Sequence, residues 1–345
     1  MSIAASKKIF AICDPEENYA VRMSEYLLEK GNMPYEIYVF TETDTFCSFI
    51  QKEQVEILLI AQSVKEQFKD EELWKNVSRI FVLKENGVAQ EHAADSSVWE
   101  IDKYQKPEKI VTMLLEEAAE LGNWCETSTQ NGMKTFMIGF YSPIRRCLQT
   151  PFALTMGQIL AREHKVLYLN FECYSGMRQL LNREFSADIM DVLYYFRSAK
   201  EKLGFKISSI TQNINGLDYI PPVYSSLDFR EVQGSQWAEL CREIAAIGEY
   251  EYVLLDLDDG MNGLFDLLKE CRRIYTITKD DRFATAKLTQ YEEILRFQQR
   301  EDISDKTVRC RFPTFAKVPS DVEIMTHGEL AQYVKAIIRE DLHGE

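Results

Sequence analysis

Short apolar runs alternate with amphipathic stretches along the first third of the chain. Between and after the runs, two stretches carry apolar residues at helical spacing, EENYAVRMSEYLLEK and EKIVTMLLEEAAEL. An alternation of this kind predicts a parallel sheet with helices on both faces. The runs that we expect to form buried strands are KIFAIC, YEIYVF, VEILLI, RIFVL and VWEI.

A second alternating set follows a polar stretch, residues 123–133, which predicts a linker. The sequence therefore predicts two α/β domains, 1–122 and 134–345, each a mainly parallel sheet with helices on both faces. An added hairpin is predicted in ISSITQNINGLDYIPP, with Asn-Gly at its turn. The other strand candidates are KTFMIGF, KVLYLNF, YEYVLLDL, RIYTIT and KTVRCRF, and the helix candidates are TPFALTMGQILARE, SADIMDVLYYFRSAKEK, GSQWAELCREIAAIG, LFDLLKECR and RFATAKLTQYEEILRFQQR.

The net charge and the cysteines limit the partners, the metal sites and the cellular compartment that we expect for this protein. The net charge is −15 and the pI about 4.9, which opposes binding to nucleic acid and to anionic membrane surfaces. The eight cysteines form no CxxC pair and the four histidines no metal motif, so we expect no metal and reduced cysteines in a cytoplasmic protein. No apolar run approaches the length of a membrane span, which predicts no integral membrane segment.

The segment GFYSPIRRCLQTPFALTMGQILA lies between a predicted strand and a predicted helix, the place of a phosphate-binding loop. With the later segments HKVLYLNFE and YEYVLLDLDDG, residues 134–340 resemble the MinD/ParA group of P-loop ATPases, whose loop reads Lys-Gly-Gly-x-Gly-Lys-Thr-Thr/Ser. In this chain the signature lysine is matched by Ile144 and the phosphate-binding lysine by Gln149. The glycines are matched by Arg145, Arg146 and Leu148, and the last two positions by Thr150 and Pro151.

These replacements remove what a phosphate needs. Side chains at the glycine positions crowd the backbone, Gln149 is neutral, and Pro151 has no amide hydrogen. Three interpretations remain open. The loop is inert structure with Pro151 as a first helical residue, or Arg145 and Arg146 hold an anion by another geometry, or the alignment hides a working ATPase.

The two other motifs of the resemblance are altered in a similar way. Asn170 matches the first acid of the family's Asp-x-Asp pair, which helps to position the attacking water, and Glu172 matches the second. Asp256 matches the acid that ends the Walker B strand. A carboxylate after an apolar strand is also a common capping residue, so Asp256 favours the fold more than the activity.

Residues 7–121 resemble a response-regulator receiver. Asp14 matches one of the two acids that usually hold magnesium, and Cys13 stands in place of the other. The phosphoacceptor position falls on Ala61 or Gln62, and the lysine segment on Lys103, with Lys106 as second choice. The alternative is that Asp14 caps a helix and Lys103 is a solvated base. Either way, the residues predict a receiver fold without its chemistry.

A receiver-like domain followed by a MinD/ParA-like domain resembles the TadZ/CpaE family of pilus assembly proteins. The resemblance implies a homodimer that localises pilus or secretion machinery at a cell pole or beside an inner-membrane assembly. With the altered loop, we expect a cytoplasmic pseudo-ATPase scaffold that needs no cofactor. The alternative is a nucleotide-binding MinD/ParA-type ATPase that uses ATP and magnesium through a noncognate loop. A transcriptional regulator is disfavoured by the charge and by the lack of a basic helix-turn-helix candidate.

The C-terminal segment ELAQYVKAIIREDLHGE carries its apolar residues on one helical face. MinD uses a C-terminal amphipathic helix at the membrane. Because the flanking charges here are mainly acidic and no basic stripe accompanies the apolar face, packing on the domain core is the favoured prediction.

Overall fold

The computed structural model describes residues 8–29, 35–68, 71–85, 98–107, 109–111, 113–114 and 135–342. The chain divides into two compact units, Met1–Thr127 and Ser128–Glu345. The predicted linker and Cys125 lie outside the described residues, so the linker and the domain bounds stay predictions.

In the N-terminal unit, the described strands form one parallel five-stranded sheet in the order β2-β1-β3-β4-β5. This is the order of flavodoxin-like folds. The strands are β1 (Ile9–Cys13), β2 (Glu36–Phe40), β3 (Val55–Ala61), β4 (Val77–Lys84) and β5 (Val98–Asp102), and they coincide with the predicted runs. Helical segments are Glu17–Glu29, Thr43–Ile50, Gln62–Lys65, the 3₁₀ turn Glu71–Asn76 and residues within 107–114.

The two central strands of this sheet explain why their sequences lack polar alternation. All residues of β1 and all but one of β3 are buried. A strand covered by helices on both faces buries both sets of side chains, so continuous apolar runs are expected. The apolar patterning therefore identified the layer arrangement as well as the strands.

In the C-terminal unit, the described strands form a seven-stranded sheet in the order β12-β11-β6-β10-β7-β9-β8. All neighbours are parallel except β8 and β9, which are antiparallel. Apolar clusters cover both faces of the sheet, as a parallel sheet requires. The strands are β6 (Phe136–Phe140), β7 (Val166–Phe171), β8 (Gln212–Ile214), β9 (Leu217–Ile220), β10 (Tyr252–Leu257), β11 (Arg273–Thr278) and β12 (Thr307–Arg311).

The helices of this unit follow the predicted pattern with local differences. The stretch 186–202 is interrupted after Ser198, and the first residues of the predicted hairpin belong to a helix that ends at Ile210. The bounds are Gln149–Leu160, Met177–Leu181, Ile189–Ser198, Leu203–Ile210, Ser226–Glu231, Gly234–Ile247, Leu264–Glu270, Arg282–Phe297, Glu301–Asp305 and Gly328–Ile337, with 3₁₀ turns Lys200–Lys202 and Val322–Ile324 and a π turn Ile338–Leu342.

The predicted Asn-Gly hairpin is confirmed by the pairing of β8 with β9. Asn215 and Gly216 both have positive φ, 50° and 88°. Such a pair of left-handed residues suits a two-residue turn whose twist matches that of the strands.

The C-terminal helix packs on the domain core, as predicted. Leu330, Val334 and Ile338 are buried in the same apolar cluster as the helix Gln149–Leu160. The helix face identified from the sequence is therefore used inside the unit.

Candidate functional site

The altered loop lies at the carboxyl edge of the larger sheet, between β6 and the helix Gln149–Leu160. In the sheet register, Asp256 of β10 lies beside Phe140 of β6 on one side and beside Asn170 of β7 on the other. The three sequence segments of the MinD/ParA resemblance therefore meet at one edge. In open α/β sheets this edge is where ligands bind.

The loop backbone takes left-handed conformations at the three positions that match glycines. The φ angles are 55° at Arg145, 45° at Arg146 and 67° at Leu148. The three residues therefore adopt a backbone conformation that glycine favours, although each of them carries a Cβ. Each non-glycine residue in this region costs about 1–2 kcal/mol, so the loop as a whole needs compensating contacts.

The helix starts one residue before the predicted stretch, which begins at Thr150. The helix begins at Gln149, so Pro151 is its third residue and not its first. The amide of Phe152 donates to the carbonyl of Leu148 at 2.9 Å. Within the described chain, the amides of Arg146, Cys147 and Leu148 have no backbone acceptor. Amides in a left-handed loop of this kind form a concavity that suits an anion.

Gln149 turns toward the sheet. Its side-chain amide donates to Asp256 Oδ1 at 2.7 Å and to the carbonyl of Leu257 at 2.9 Å. The side chain that replaces the phosphate-binding lysine is therefore held by the protein itself.

The carboxylate of Asp256 is fully buried and accepts hydrogen bonds at both oxygens. Oδ2 accepts from the hydroxyl of Tyr168 at 2.8 Å and from the amide of Asn170 at 3.4 Å, while Oδ1 accepts from Gln149. Burial raises the pKa of Asp256, and its hydrogen bonds oppose that effect. Both oxygens that could face a metal-bound water are already in use.

Glu172 and Thr150 form a second contact between the loop helix and the sheet. The hydroxyl of Thr150 donates to Glu172 Oε2 at 2.9 Å, and Asn170 donates to the same oxygen at 3.3 Å. Burial, followed by the nearby Asp256 carboxylate, raises the pKa of Glu172 to about 7. In active P-loop enzymes a hydroxyl at the position of Thr150 serves magnesium, whereas here it is directed to a protein carboxylate.

Arg145 faces two acids that follow β10. Its guanidinium pairs with Asp259 and lies 3.6 Å from Asp258. The hydrogen bond to Asp259 raises the pKa of Arg145 above its ordinary value. This pairing argues against the interpretation in which both arginines hold an anion, because Arg145 is already engaged. Arg146 is exposed, and its carbonyl accepts from Lys279 at 3.4 Å.

Ile144 packs against the apolar cluster of its own unit. The position that carries the signature lysine in the family is therefore partly buried, and its side chain contributes to the core.

An open pocket of about 490 Å³ remains between the loop and the end of β10. Its lining combines the loop backbone with acidic side chains, so it is not the strongly basic pocket that a triphosphate prefers. The lining residues are Tyr141, Ser142, Arg145, Arg146, Cys147, Leu148, Gln149, Thr150, Pro151, Glu172, Leu257, Asp258 and Asp259.

In the N-terminal unit, Asp14 and Lys103 form a buried ion pair. Lys103 Nζ lies 2.9 Å from Asp14 Oδ2 and 3.0 Å from Glu16 Oε2. Lys103 and Asp14 are only 3% and 1% exposed, so the prediction of a solvated lysine is wrong. Burial alone would lower the pKa of Lys103, but the hydrogen bonds to the two acids raise it. Lys106, the second choice, is exposed.

The two positions that the receiver resemblance matches to a phosphoacceptor, Ala61 and Gln62, carry no carboxylate. Ala61 ends β3 and is buried, and Gln62 begins the next helix with its side chain donating to Glu66 at 2.6 Å. Asp14 accepts a hydrogen bond from the amide of Glu16 at 2.9 Å, just ahead of the helix Glu17–Glu29. Asp14 therefore has both a local role near the helix start and a charge partner.

Sequence reasoning missed Tyr168 and the acids Asp258 and Asp259. Tyr168 lies two residues before Asn170, and side chains at that spacing share a face of a strand, which was a usable signal. The acids stand in the run DLDDG directly after β10. Their pairing with Arg145 could not be read from the sequence, because it joins positions far apart in the chain.

Comparison with known proteins finds solved structures of similar fold over about 60% of this chain. No protein-family profile and no curated protein match the chain. A ParA family ATPase from Chlorobium tepidum TLS is similar with TM-score 0.48 and 13% identity over 59% of this chain and 97% of that one. The MinC:MinD cell division complex of Aquifex aeolicus gives TM-score 0.46 and 17% identity over 61% and 97%.

A plasmid partition protein from Borrelia burgdorferi is similar with TM-score 0.43 and 13% identity, over 60% of this chain and 99% of that one. These neighbours belong to the group that the sequence resemblance names. With TM-scores below 0.5 and such identities, the function has to be argued from this chain's own residues.

The described residues lack two kinds of feature. They contain no helix that is long and apolar enough to cross a membrane. Across the same part of the chain, no group of three or more histidine, cysteine or acidic side chains is arranged to hold a metal ion.

Proposed function

We propose that this protein does not hydrolyse ATP and works as a cytoplasmic scaffold or localisation factor, through self-association and contacts with other proteins. The observation that carries the proposal is the set of hydrogen bonds that the buried carboxylate of Asp256 accepts from side chains of the protein. Gln149, Tyr168 and Asn170 occupy both of its oxygens. These bonds use three of the roughly four lone-pair sites of the carboxylate, so little capacity remains to orient the water shell of a metal.

The residues fit Mg-ATP poorly in three further respects. Gln149 brings no positive charge, Asn170 no carboxylate, and Pro151 no amide hydrogen. Catalysis of phosphoryl transfer consists mainly of positioning and charge stabilisation, so these losses act on the same step. We therefore derive no reaction for the pocket.

Assay of phosphate release from Mg-ATP tests the proposal. We expect the wild type to match the buffer blank, and Asp256→Asn, which keeps the size of the side chain, to match it too. Turnover by the wild type that disappears in Asp256→Asn would show a working ATPase and overturn the proposal.

The pilus or secretion assembly as partner rests on the order of the two domains, which resembles TadZ/CpaE proteins. The inward packing of Ile144 argues against a nucleotide-dependent contact between subunits, since no lysine extends from that position. We expect light scattering to give the same mass with and without Mg-ATP. In the native cell, a fluorescent fusion should localise with the assembly, at a pole or at the inner membrane, and Asp256→Asn should localise equally. Diffuse fluorescence in cells that assemble the machine would count against this partner.

The alternative, a nucleotide-binding MinD/ParA-type ATPase with a noncognate loop, is favoured by one observation. The left-handed loop and the pocket of about 490 Å³ leave room for a ligand beside loop amides without backbone partners among the described residues. Calorimetric titration of Mg-ATP into the wild type separates the two functions. Saturable binding would favour the alternative, and its absence the scaffold.

A further inference from the structure

The loop of the C-terminal unit has to be stabilised against its own backbone preference. Arg145, Arg146 and Leu148 are all left-handed, and none is a glycine. Residues with a Cβ persist in such conformations only when surrounding contacts impose them. In nucleotide-binding loops the ligand can supply part of that stabilisation, so the question is what supplies it here.

Side chains of the loop and of the first helical turn contact the loops or ends of two neighbouring strands. Gln149 bonds to Asp256 and to the Leu257 carbonyl, at the end of β10. Thr150 bonds to Glu172, directly after β7. Arg145 pairs with Asp258 and Asp259, in the loop after β10.

The contacts at the other side of the loop come from β11. Ser142 donates to the carbonyl of Ile277 at 2.6 Å, and Lys279 donates to the carbonyl of Arg146 at 3.4 Å. The loop is thus connected to the ends of three strands.

We propose that the loop 142–150 is locked by these side chains in its left-handed conformation, so that the pocket keeps one shape whether or not a ligand is present. The inference deepens the proposed function, because it gives a physical reason why the molecule would not cycle between nucleotide states. A ligand shifts an equilibrium only by its differential affinity for two states, and a locked loop offers one.

Trypsin tests the lock, because Arg145 and Arg146 are cleavage sites in the loop itself. Cleavage requires the segment to leave its folded conformation and enter the protease as an extended strand. We expect slow cleavage after these residues in the native wild type, at the same rate with and without Mg-ATP.

Removing the hydrogen bonds that Gln149 donates to Asp256 and to the Leu257 carbonyl should allow the loop to unfold locally more often. We expect Gln149→Ala to accelerate cleavage after Arg145 and Arg146 by about tenfold or more, the effect of losing one hydrogen bond to a charged acceptor. Thr150→Val should act in the same direction, whereas Thr150→Ser, which keeps the hydroxyl, should retain slow cleavage. Gln290→Ala is the matched control, since Gln290 is exposed and makes no side-chain hydrogen bond within the described chain.

The unfolding midpoint of each variant separates local release from global loss of structure. Faster cleavage with an unchanged midpoint supports the lock. Wild-type cleavage as fast as that of Gln149→Ala, or wild-type cleavage slowed by Mg-ATP, would overturn it. The lock and the absence of hydrolysis can fail separately, because phosphate release and loop cleavage are independent readouts.

Discussion

The two units each place altered residues at the carboxyl edge of a parallel sheet, but the two edges are completed in opposite ways. In the N-terminal unit, Asp14 and Lys103 neutralise each other and are almost inaccessible to solvent. In the C-terminal unit, the loop is held by internal contacts while a pocket of about 490 Å³ stays open beside it.

The difference lies in the signs of the charges that remain. At the first edge a buried acid and a buried lysine reach each other directly, and the lysine also lies 3.0 Å from the more exposed Glu16. Opposite charges at such distances can be buried together. The second edge keeps several acids and two arginines, of which Arg145 pairs with Asp258 and Asp259 while Arg146 is exposed. The acids repel one another and cannot close the edge among themselves. The C-terminal edge is therefore where a ligand could still enter.

The largest effect on stability is expected from removing one partner of the Asp14–Lys103 pair in the N-terminal unit. Lys103→Met leaves the carboxylate of Asp14 buried without its partner, which should destabilise the N-terminal unit by about 3–5 kcal/mol. Denaturant unfolding measures this loss, and Lys106→Met, at an exposed position, should change stability by less than about 0.5 kcal/mol. The double variant Asp14→Leu with Lys103→Met should lose less than Lys103→Met alone. Equal, small effects of Lys103→Met and Lys106→Met would show that the pair contributes little.

Glu172, at the edge of the C-terminal sheet, should make the free energy of unfolding depend on pH near neutrality. Because the pKa of Glu172 is raised from 4.5 to about 7 in the folded protein, its contribution to stability is present at low pH and is lost as pH rises through 7. We expect a loss of about 1–3 kcal/mol between pH 5 and 8, allowing for partial solvent exposure. Glu172→Gln should remove this part of the pH profile. A wild-type profile parallel to that of Glu172→Gln would place the pKa of Glu172 near its ordinary value.

The same two sheet edges show which features of the structure could be predicted from the sequence and which could not. The strands and the two sheets followed from continuous apolar runs, because burial on both faces leaves no alternation to obscure them. Asn170 and Asp256 were matched to motifs of the MinD/ParA group through the resemblance, and the sheet register places them side by side. The Lys103–Asp14 pair and the Arg145–Asp259 pair were not predicted, because each depends on how far a long flexible side chain reaches across the fold. The left-handed loop was not predicted either, since local preference argues against it and distant contacts decide it.

Restoring only the missing positive charge should not give the C-terminal unit the ability to bind Mg-ATP. We expect Gln149→Lys to leave Mg-ATP binding undetectable by calorimetry. The new ammonium group would lie beside the buried carboxylate of Asp256, where Gln149 now donates, and would pair with it.

Replacement of 144–151 as a block by Lys-Gly-Gly-x-Gly-Lys-Thr-Thr is the matched comparison. It restores the glycines, the charge and the missing amide donor together, so binding should appear there alone. Equal affinity of Gln149→Lys and the block variant would mean that only the charge was missing.

The smallest expected effect is none at all. Ala61 stands at the end of β3, so acetyl phosphate has no acceptor carboxylate there and the intact mass should stay unchanged. Mass spectrometry of the treated protein checks this. A stoichiometric phosphoryl group mapped to the N-terminal unit would show that an acceptor exists elsewhere in it.

The β8–β9 hairpin has a consequence for the protein in concentrated solution. Without β8, the edge of the larger sheet would be β9, a parallel strand with three buried residues among its four. An exposed apolar edge of that kind is a template for pairing with another chain and for aggregation. The three-residue strand β8, turned back antiparallel by Asn215 and Gly216, covers it and presents only a short edge of its own. The hairpin therefore protects the sheet from edge-to-edge association between molecules. Its loss should appear first as turbidity of a concentrated solution.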